Sequence, residues 1–138
     1  MEKRRAETVI KRPPDEVWAR IRDFADISWI PNAGSCTIEG DARKVSKPGW
    51  GFVLTQRLVN HDDEQRTYTY DLPAPLNFES LLGPDHIVTV LEGTILVTPK
   101  GASESTVTWD IETEDFLIDG THREYQASLD SLKAELEG

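Results

Sequence analysis

The chain has 138 residues and a formal net charge of -10, from 25 acidic and 15 basic side chains. A chain of this length buries about two thirds of its unfolded surface, which predicts one domain over residues 1–138. The excess of negative charge disfavours binding to nucleic acid or to an anionic membrane. No apolar run is long enough for a secretory signal or stable membrane insertion. A single cysteine, Cys36, excludes an intramolecular disulfide, and together these features favour a cytoplasmic protein.

The first part of the chain predicts one strand followed by two short helices. Thr8, Val9 and Ile10 favour a strand from Ala6 to Arg12, which the prolines that follow would end. Pro14 and the acidic pair after it favour a helix start. The apolar face of this helix would consist of Val17, Trp18, Ile21 and Phe24. The segment 26–30, before Pro31, predicts the second, shorter helix.

From Ala33 onward the spacing of apolar residues shortens from about 3.6 to about 2, which is typical of strands. Strands are predicted over 36–38, 43–46, 52–59, 67–72, 87–98 and 106–113. A polar hairpin is expected at 60–64. The segment 73–85 is long and apolar for a connection, as lids and binding loops are. Gly93 predicts a bulge or a bend in a curled sheet.

The last twenty residues predict a long amphipathic helix. Thr121 and Glu124 have the spacing of a capping box, which places the helix start at that point. The residues expected on one helical face are His122, Tyr125, Leu129, Leu132 and Leu136. This face is apolar at its C-terminal end and carries an imidazole and a phenol at its N-terminal end. It therefore predicts a helix that seals a core and lines a cavity.

Together these elements predict the α+β class, because an antiparallel sheet of about six or seven strands has one apolar face that the long helix can cover. Four groups of residues then resemble a known family. They are Pro13–Trp18, Arg22–Phe24 with Trp29–Pro31, Gln56–Asp63 with Tyr68–Tyr70, and Thr94–Pro99 with Val107–Trp109. In this order they resemble the START-like, helix-grip SRPBCC superfamily and, within it, the polyketide cyclase/dehydrase and lipid-transport branch.

The resemblance implies a helix-grip (START/Bet v-like) fold, in which a curved antiparallel sheet of about seven strands wraps around a long C-terminal helix. A hydrophobic ligand cavity would lie between them. It implies no particular reaction, because members include lipid carriers, hormone receptors, aromatases, cyclases and co-chaperone modules. The chain departs from the family at Gln56, where related sequences often carry Glu, and in the length of the 73–85 segment.

Several side chains are candidates for a site in this cavity. The expected ligand-binding residues are Trp29, Leu54, Gln56, Tyr68, Tyr70, Phe78, Leu91, Trp109, His122 and Tyr125. His122, Tyr70 and His86 are the candidates for catalysis. An exposed position explains the two histidines more simply than catalysis does, and a core position explains Tyr70 equally well. Arg43 would either meet an acidic ligand group from inside or face water. The sequence predicts no cofactor and no metal site, because His61, Asp62 and Asp63 are consecutive at a hairpin tip.

Three functions remain open at this point. The first is binding of a mostly apolar small molecule, lipid or polyketide-like. The second is a polyketide cyclase, aromatase or dehydratase that uses a cavity histidine or tyrosine. The third is a protein-interaction module whose cavity is vestigial. The expected partner is a hydrophobic small molecule, and the expected assembly is a monomer or a homodimer.

Overall fold

The computed structural model describes residues 1–138. The nine strands are β1 (Glu2–Ile10), β2 (Ser35–Glu39), β3 (Ala42–Ser46), β4 (Leu54–Asp62), β5 (Thr67–Asp71), β6 (Leu76–Asn77), β7 (Ile87–Val88), β8 (Leu91–Pro99) and β9 (Ser105–Thr113). The three helices are α1 (Pro14–Ile21), α2 (Glu79–Leu82) and α3 (Asp115–Glu137).

Seven of the strands form one curved antiparallel sheet in the order β1-β9-β8-β5-β4-β3-β2. The long helix α3 packs against β1 and β9. Residues in β8 and β9 alternate between buried and less buried positions, because one face of the sheet covers the core. The predicted α+β, helix-grip architecture is therefore confirmed.

The predicted second helix after β1 is absent. α1 ends at Ile21, and residues 26–30 form turns in place of the helix that was expected. The carboxylate of Asp23 accepts the backbone N–H of Ala25, and that of Asp26 accepts the backbone N–H of Ser28. Short acidic side chains compete in this way for amides that a helix would otherwise use.

The predicted start of the last helix was also wrong. α3 begins at Asp115, six residues before the expected capping box, and Thr121 is buried inside it. Glu114 precedes the helix in an extended conformation. Its carboxylate accepts both N–H groups of Thr89 and Val90 and the Thr89 hydroxyl, which fixes the helix start to the β7–β8 turn.

One face of α3 hydrogen-bonds to the open edge of β1. His122 Nε2 contacts the Arg5 carbonyl at 3.0 Å. Gln126 accepts the backbone N–H of Glu7 through its side-chain oxygen and donates to the Glu7 carbonyl through its side-chain nitrogen. Farther along, Lys133 donates to the Val9 carbonyl, and the Glu137 carboxylate accepts the Lys11 N–H. These contacts satisfy groups that an edge strand otherwise leaves unpaired.

The polar hairpin between β4 and β5 fastens α1 to the sheet. Asp63 forms a two-pronged ion pair with Arg22 and accepts the indole N–H of Trp18. These bonds hold the pKa of Asp63 at about 2, with the Arg22 hydrogen bond as the largest cause. His61 stacks on Trp18 with 5.7 Å between ring centres. The side chains of this hairpin therefore hold α1 against the sheet.

Gly93 does not mark a bulge. β8 pairs with β9 without interruption from Leu91 to Pro99, and the irregular pairing lies in β4 between Leu58 and Asn60. Gly93 faces Tyr70 across the β5–β8 pair, and a side-chain carbon at position 93 would overlap the Tyr70 hydroxyl. Because Gly93 has no side chain, the Tyr70 ring can occupy the space next to it in the core.

The buried hydrophobic residues form two clusters. The larger lies between α1, the sheet and the C-terminal half of α3, and it includes Trp109, Leu129 and Leu132. The smaller contains Leu54, Phe78, Val88 and Leu91. The segment 73–85, predicted to be a lid, contributes Phe78 to this cluster and forms β6 and α2.

Leu132→Ala is expected to lower the free energy of unfolding by about 2–5 kcal/mol, because it opens a void at a fully buried position. Leu136, on the same face of α3, is only partly buried. Leu136→Ala should therefore cost clearly less. Urea unfolding monitored by circular dichroism measures both, and equal losses would contradict this packing of α3.

Gly93→Ala is expected to cost about 1–3 kcal/mol, because the added carbon overlaps the fully buried Tyr70. Gly120→Ala in α3 is the matched control. The nearest atom to a side-chain carbon there is 3.9 Å away, at the end of Arg123. The control should gain up to about 1 kcal/mol from helix propensity. Thermal unfolding of both variants tests this, and a stable Gly93→Ala protein would contradict the close approach of Tyr70.

Candidate functional site

A cavity of about 450 Å³ lies between the sheet and α3, where the two hydrophobic clusters meet. Most of its lining side chains are hydrophobic. From the smaller cluster and its surroundings come Trp50, Leu54, Phe78, Leu82, Leu91 and Leu117. From the side of the larger cluster come Ile30, Tyr70, Trp109 and Tyr125. Exposed residues on its wall, including Asp119, Arg123 and Glu124, mark the side on which it opens.

One buried charge faces this cavity. Arg43 is 3% exposed and is the one charged side chain among the buried residues. Its Nε donates to the Gln56 side-chain oxygen at 2.7 Å, and one terminal nitrogen donates to the Phe24 carbonyl at 2.9 Å. The guanidinium carbon lies 4.0 Å from the centre of the Phe24 ring. Neither hydrogen-bond partner carries a negative charge, so the charge of Arg43 has no carboxylate to balance it.

A chain of three aromatic side chains runs from the core to the cavity. Trp109 Nε1 donates to the Tyr70 hydroxyl at 3.0 Å, and the Tyr70 and Tyr125 hydroxyls are 2.5 Å apart. Tyr70 is fully buried, whereas Tyr125 is partly buried on the wall. A buried hydroxyl proton without a partner is costly. The order that avoids this cost has Tyr70 donating to Tyr125, which leaves the Tyr125 proton for an acceptor in the cavity.

These tyrosines are neutral at physiological pH. Burial is the largest cause of the raised pKa values of both residues. The pKa of Tyr70 lies well above its usual value of 10.0, and that of Tyr125 rises to about 12. Both hydroxyls therefore keep their protons near neutral pH, so neither is a base, and the Tyr125 hydroxyl can donate a hydrogen bond to a ligand oxygen.

Seven of the residues expected from the sequence lie on the cavity wall. They are Leu54, Gln56, Tyr70, Phe78, Leu91, Trp109 and Tyr125. The structure brings them together from four strands, the 73–85 segment and α3. Of the three catalytic candidates, Tyr70 alone is among them.

The structure places the other expected residues elsewhere. Trp29 packs behind the wall, with its ring centre 5.5 Å from that of Trp109, and its buried indole N–H has no acceptor. Tyr68 is buried in the core against Phe24. His122 points to the β1 backbone. His86 contacts the Gly83 carbonyl and the edge of Phe116, outside the cavity.

The sequence reasoning missed part of the wall. Thr121 and Ser128 line the cavity from α3, and Leu117 comes from the first turns of the helix, where a loop was expected. Leu117, Thr121, Tyr125 and Ser128 follow the three-to-four spacing of one helical face. That spacing could have identified these residues, but Thr121 and Ser128 are small and polar, so the face they share is not recognisable as an apolar stripe.

The chain presents no converging group of three or more His, Cys, Asp or Glu side chains of the kind that holds a metal ion. Its helices also lack the length and hydropathy needed to span a bilayer.

Solved structures of other proteins share this fold. An uncharacterised protein from Bacillus thuringiensis aligns over 99% of this chain and 100% of its own, with a TM-score of 0.81 and 23% identity. The di-domain ARO/CYC protein BexL of the BE-7585A biosynthetic pathway aligns over 99% of this chain and 47% of its own, with a TM-score of 0.77 and 17% identity. A START superfamily protein from Mycobacterium smegmatis aligns over 98% and 97%, with a TM-score of 0.73 and 14% identity.

At these identities the similarity concerns the fold. No curated protein sequence matches the chain. The sequence model of one family, described as polyketide cyclase / dehydrase and lipid transport, matches residues 1–137. The chain therefore belongs to the polyketide cyclase/dehydrase and lipid transport family.

Proposed function

We propose that this protein binds a mostly apolar small molecule in the cavity between the sheet and α3. The observation that carries the proposal is a cavity of about 450 Å³ lined mainly by hydrophobic side chains, with polar groups such as Arg43, Gln56 and the Tyr125 hydroxyl among them. Ligand pockets typically have this size and this composition. BexL and the Mycobacterium smegmatis START protein supply fold-level support for a ligand-binding or cyclase role.

A second function, that of a cyclase or dehydratase, has one specific observation in its favour. Arg43 and Tyr125 are hydrogen-bond donors in the same cavity, and such donors stabilise the negative oxygen of an enolate. Support is weaker for a base that would remove the proton needed to form the enolate. Neither histidine candidate lies on the wall, and the carboxylates there, Asp119 and Glu124, are exposed. Binding without chemistry therefore has the stronger support. Deuterium uptake from heavy water into a bound ketone, at a rate above that in buffer, would favour the enzyme.

Ser128→Phe is expected to block the cavity. Ser128 is 3% exposed, lies on the wall and hydrogen-bonds only within its own helix, so its replacement places a ring in the cavity at little other cost. Phenylnaphthylamine, a neutral dye that fluoresces in apolar surroundings, serves as the probe. The variant should bind it at least about tenfold more weakly than the unmodified protein.

Ala134→Phe, which adds the same ring at an exposed position of α3, is the control and should bind the dye normally. Circular dichroism verifies that both variants fold. Absence of dye binding to the unmodified protein, or unchanged binding to Ser128→Phe, would refute the proposed cavity function. Native mass spectrometry of freshly purified protein provides an independent search for a co-purifying ligand.

The neutral state of the tyrosines predicts an unusual alkaline titration. All three tyrosines, Tyr68, Tyr70 and Tyr125, have raised pKa values, chiefly because of burial. An acid whose pKa is raised on folding stabilises the fold fully below its unfolded pKa of about 10. That stabilisation is lost as the pH rises through the folded pKa, which for Tyr125 is about 12.

The ultraviolet absorbance of phenolate should therefore not rise near pH 10 in the folded protein, and it should increase only at higher pH together with alkaline unfolding. In denaturant all three tyrosines should titrate near pH 10. A folded-state titration step near pH 10 would show that a tyrosine hydroxyl is freely solvated.

A further inference from the structure

Arg43 is an exception among the arginines of this chain. Seven others each pair with a carboxylate: Arg4, Arg5, Arg12, Arg20, Arg22, Arg57 and Arg66. Arg43 and Arg123 have no such partner, and both line the cavity. Arg123 is exposed to water, which solvates its charge. Arg43 is buried, and a buried charge without a counter-charge is costly.

The hydrogen bonds of Arg43 leave part of its guanidinium free. The group has five N–H donors: Gln56 and the Phe24 carbonyl take one each, and the Tyr68 hydroxyl interacts with the same guanidinium. The Phe24 ring lies 4.0 Å from the guanidinium carbon and the Tyr70 ring 5.3 Å from it, so aromatic faces cover part of its surroundings. Because Arg43 also lines the cavity, a ligand there can meet the remaining donors.

The charged side chains on the cavity wall also favour an anionic ligand. Lys47, Arg43 and Arg123 line the cavity, against two carboxylates, Asp119 and Glu124. A wall with more basic than acidic side chains contrasts with a chain whose formal charge is -10. An anion in the cavity therefore meets a slightly positive wall, although the net charge of the whole protein is negative.

Gln56 preserves this positive charge. It stands directly opposite Arg43 in the β3–β4 pair, and its side-chain oxygen accepts the Arg43 Nε–H. A carboxylate in the same place would form the same hydrogen bond and would cancel the charge. The amide at position 56 orients Arg43 and leaves its charge to a ligand.

From these observations we infer that the ligand carries one anionic oxygen group on an apolar body, and that Arg43 and the Tyr125 hydroxyl receive that group. The apolar body lies against the smaller cluster, along Leu54, Phe78 and Leu91. This inference rests on the proposed function, because it specifies the ligand class of the same cavity. Sulfonates and carboxylates share the required chemistry.

The test compares two dyes with the same ring system. Anilinonaphthalenesulfonate carries a sulfonate, and phenylnaphthylamine lacks it. The unmodified protein should bind the anionic dye at least about tenfold more tightly at neutral pH, because hydrogen bonds to a charged group add binding energy. Binding of both dyes should be lost in Ser128→Phe, which distinguishes the cavity from the outer surface.

Gln56→Glu is the decisive variant, because it changes one amide to a carboxylate and retains the hydrogen bond to Arg43. Its preference for the anionic dye over the neutral dye, taken as the ratio of the two affinities in the same variant, should fall at least about tenfold. Arg43→Met should also lose the preference, but it removes the donor to the Phe24 carbonyl and can unfold the chain. Gln56→Glu therefore keeps the inference testable if Arg43→Met does not fold.

The outcomes separate the inference from the function on which it rests. If the neutral dye binds in the cavity and the anionic dye shows no preference, or a preference that Gln56→Glu leaves intact, the inference is overturned and the cavity function stands. If neither dye binds, both fail. Displacement of the anionic dye by dodecanoate or by naphthoate then supports a chain-like or a flat aromatic carboxylate, respectively. Displacement by neither contradicts the proposed ligand class.

Discussion

The pairing of α3 with the open edge of β1 determines how the cavity is lined. An edge strand exposes backbone groups that require partners, and α3 supplies them with His122, Gln126, Lys133 and Glu137. These positions lie on one face of the helix. Once this face is fixed against β1, the helix cannot rotate without losing the bonds. Tyr125 and Ser128, on a neighbouring face, are thereby held on the cavity wall.

The same constraint explains why His122 lies outside the cavity. In the sequence, His122 and Tyr125 belong to one stripe with three leucines. In the structure this stripe divides into two adjacent faces, one apolar and one that binds the β1 backbone. Both faces contain residues spaced by three and four, so periodicity alone cannot separate them. The separation depends on the neighbouring strand, which is distant in sequence: His122 contacts Arg5, 117 residues away.

Local patterns were sufficient for most of the fold. Alternation predicted the long strands, and the apolar residues spaced by three and four near the end of the chain predicted the helix that covers them. The failures were local as well. The carboxylates of Asp23 and Asp26 replaced a predicted helix with turns, and Glu114 started α3 earlier than the capping box at Thr121 suggested. In each case a side chain bound a backbone amide, and apolar periodicity carries no information about such bonds.

The candidate site was partly readable from the sequence. Alternation within β3 places Arg43 on the same face as Val45, and both are buried, so an inward Arg43 could have been favoured over a solvated one. Arg43 pairs with Gln56 across β3 and β4, and this register could not be predicted from the sequence of either strand alone. The lack of a carboxylate partner for Arg43 is a property of the folded chain, because the fold determines which carboxylates lie on the surface and which lie near Arg43.

The direction of the hydrogen bonds at the polar end of the cavity has a consequence for selectivity. Trp109 can only donate, so Tyr70 accepts from it, and Tyr70 in turn donates a hydrogen bond to Tyr125 because its buried proton would otherwise have no partner. Gln56 accepts from Arg43 through its oxygen, and both N–H groups of its amide remain as donors. Arg43 has no acceptor at all. Arg43, Gln56 and Tyr125 therefore present more donors than acceptors, together with one positive charge. An ammonium group placed among them would meet few free acceptors and an unfavourable charge. This end of the cavity therefore disfavours cationic ligands as well as favouring anionic ones.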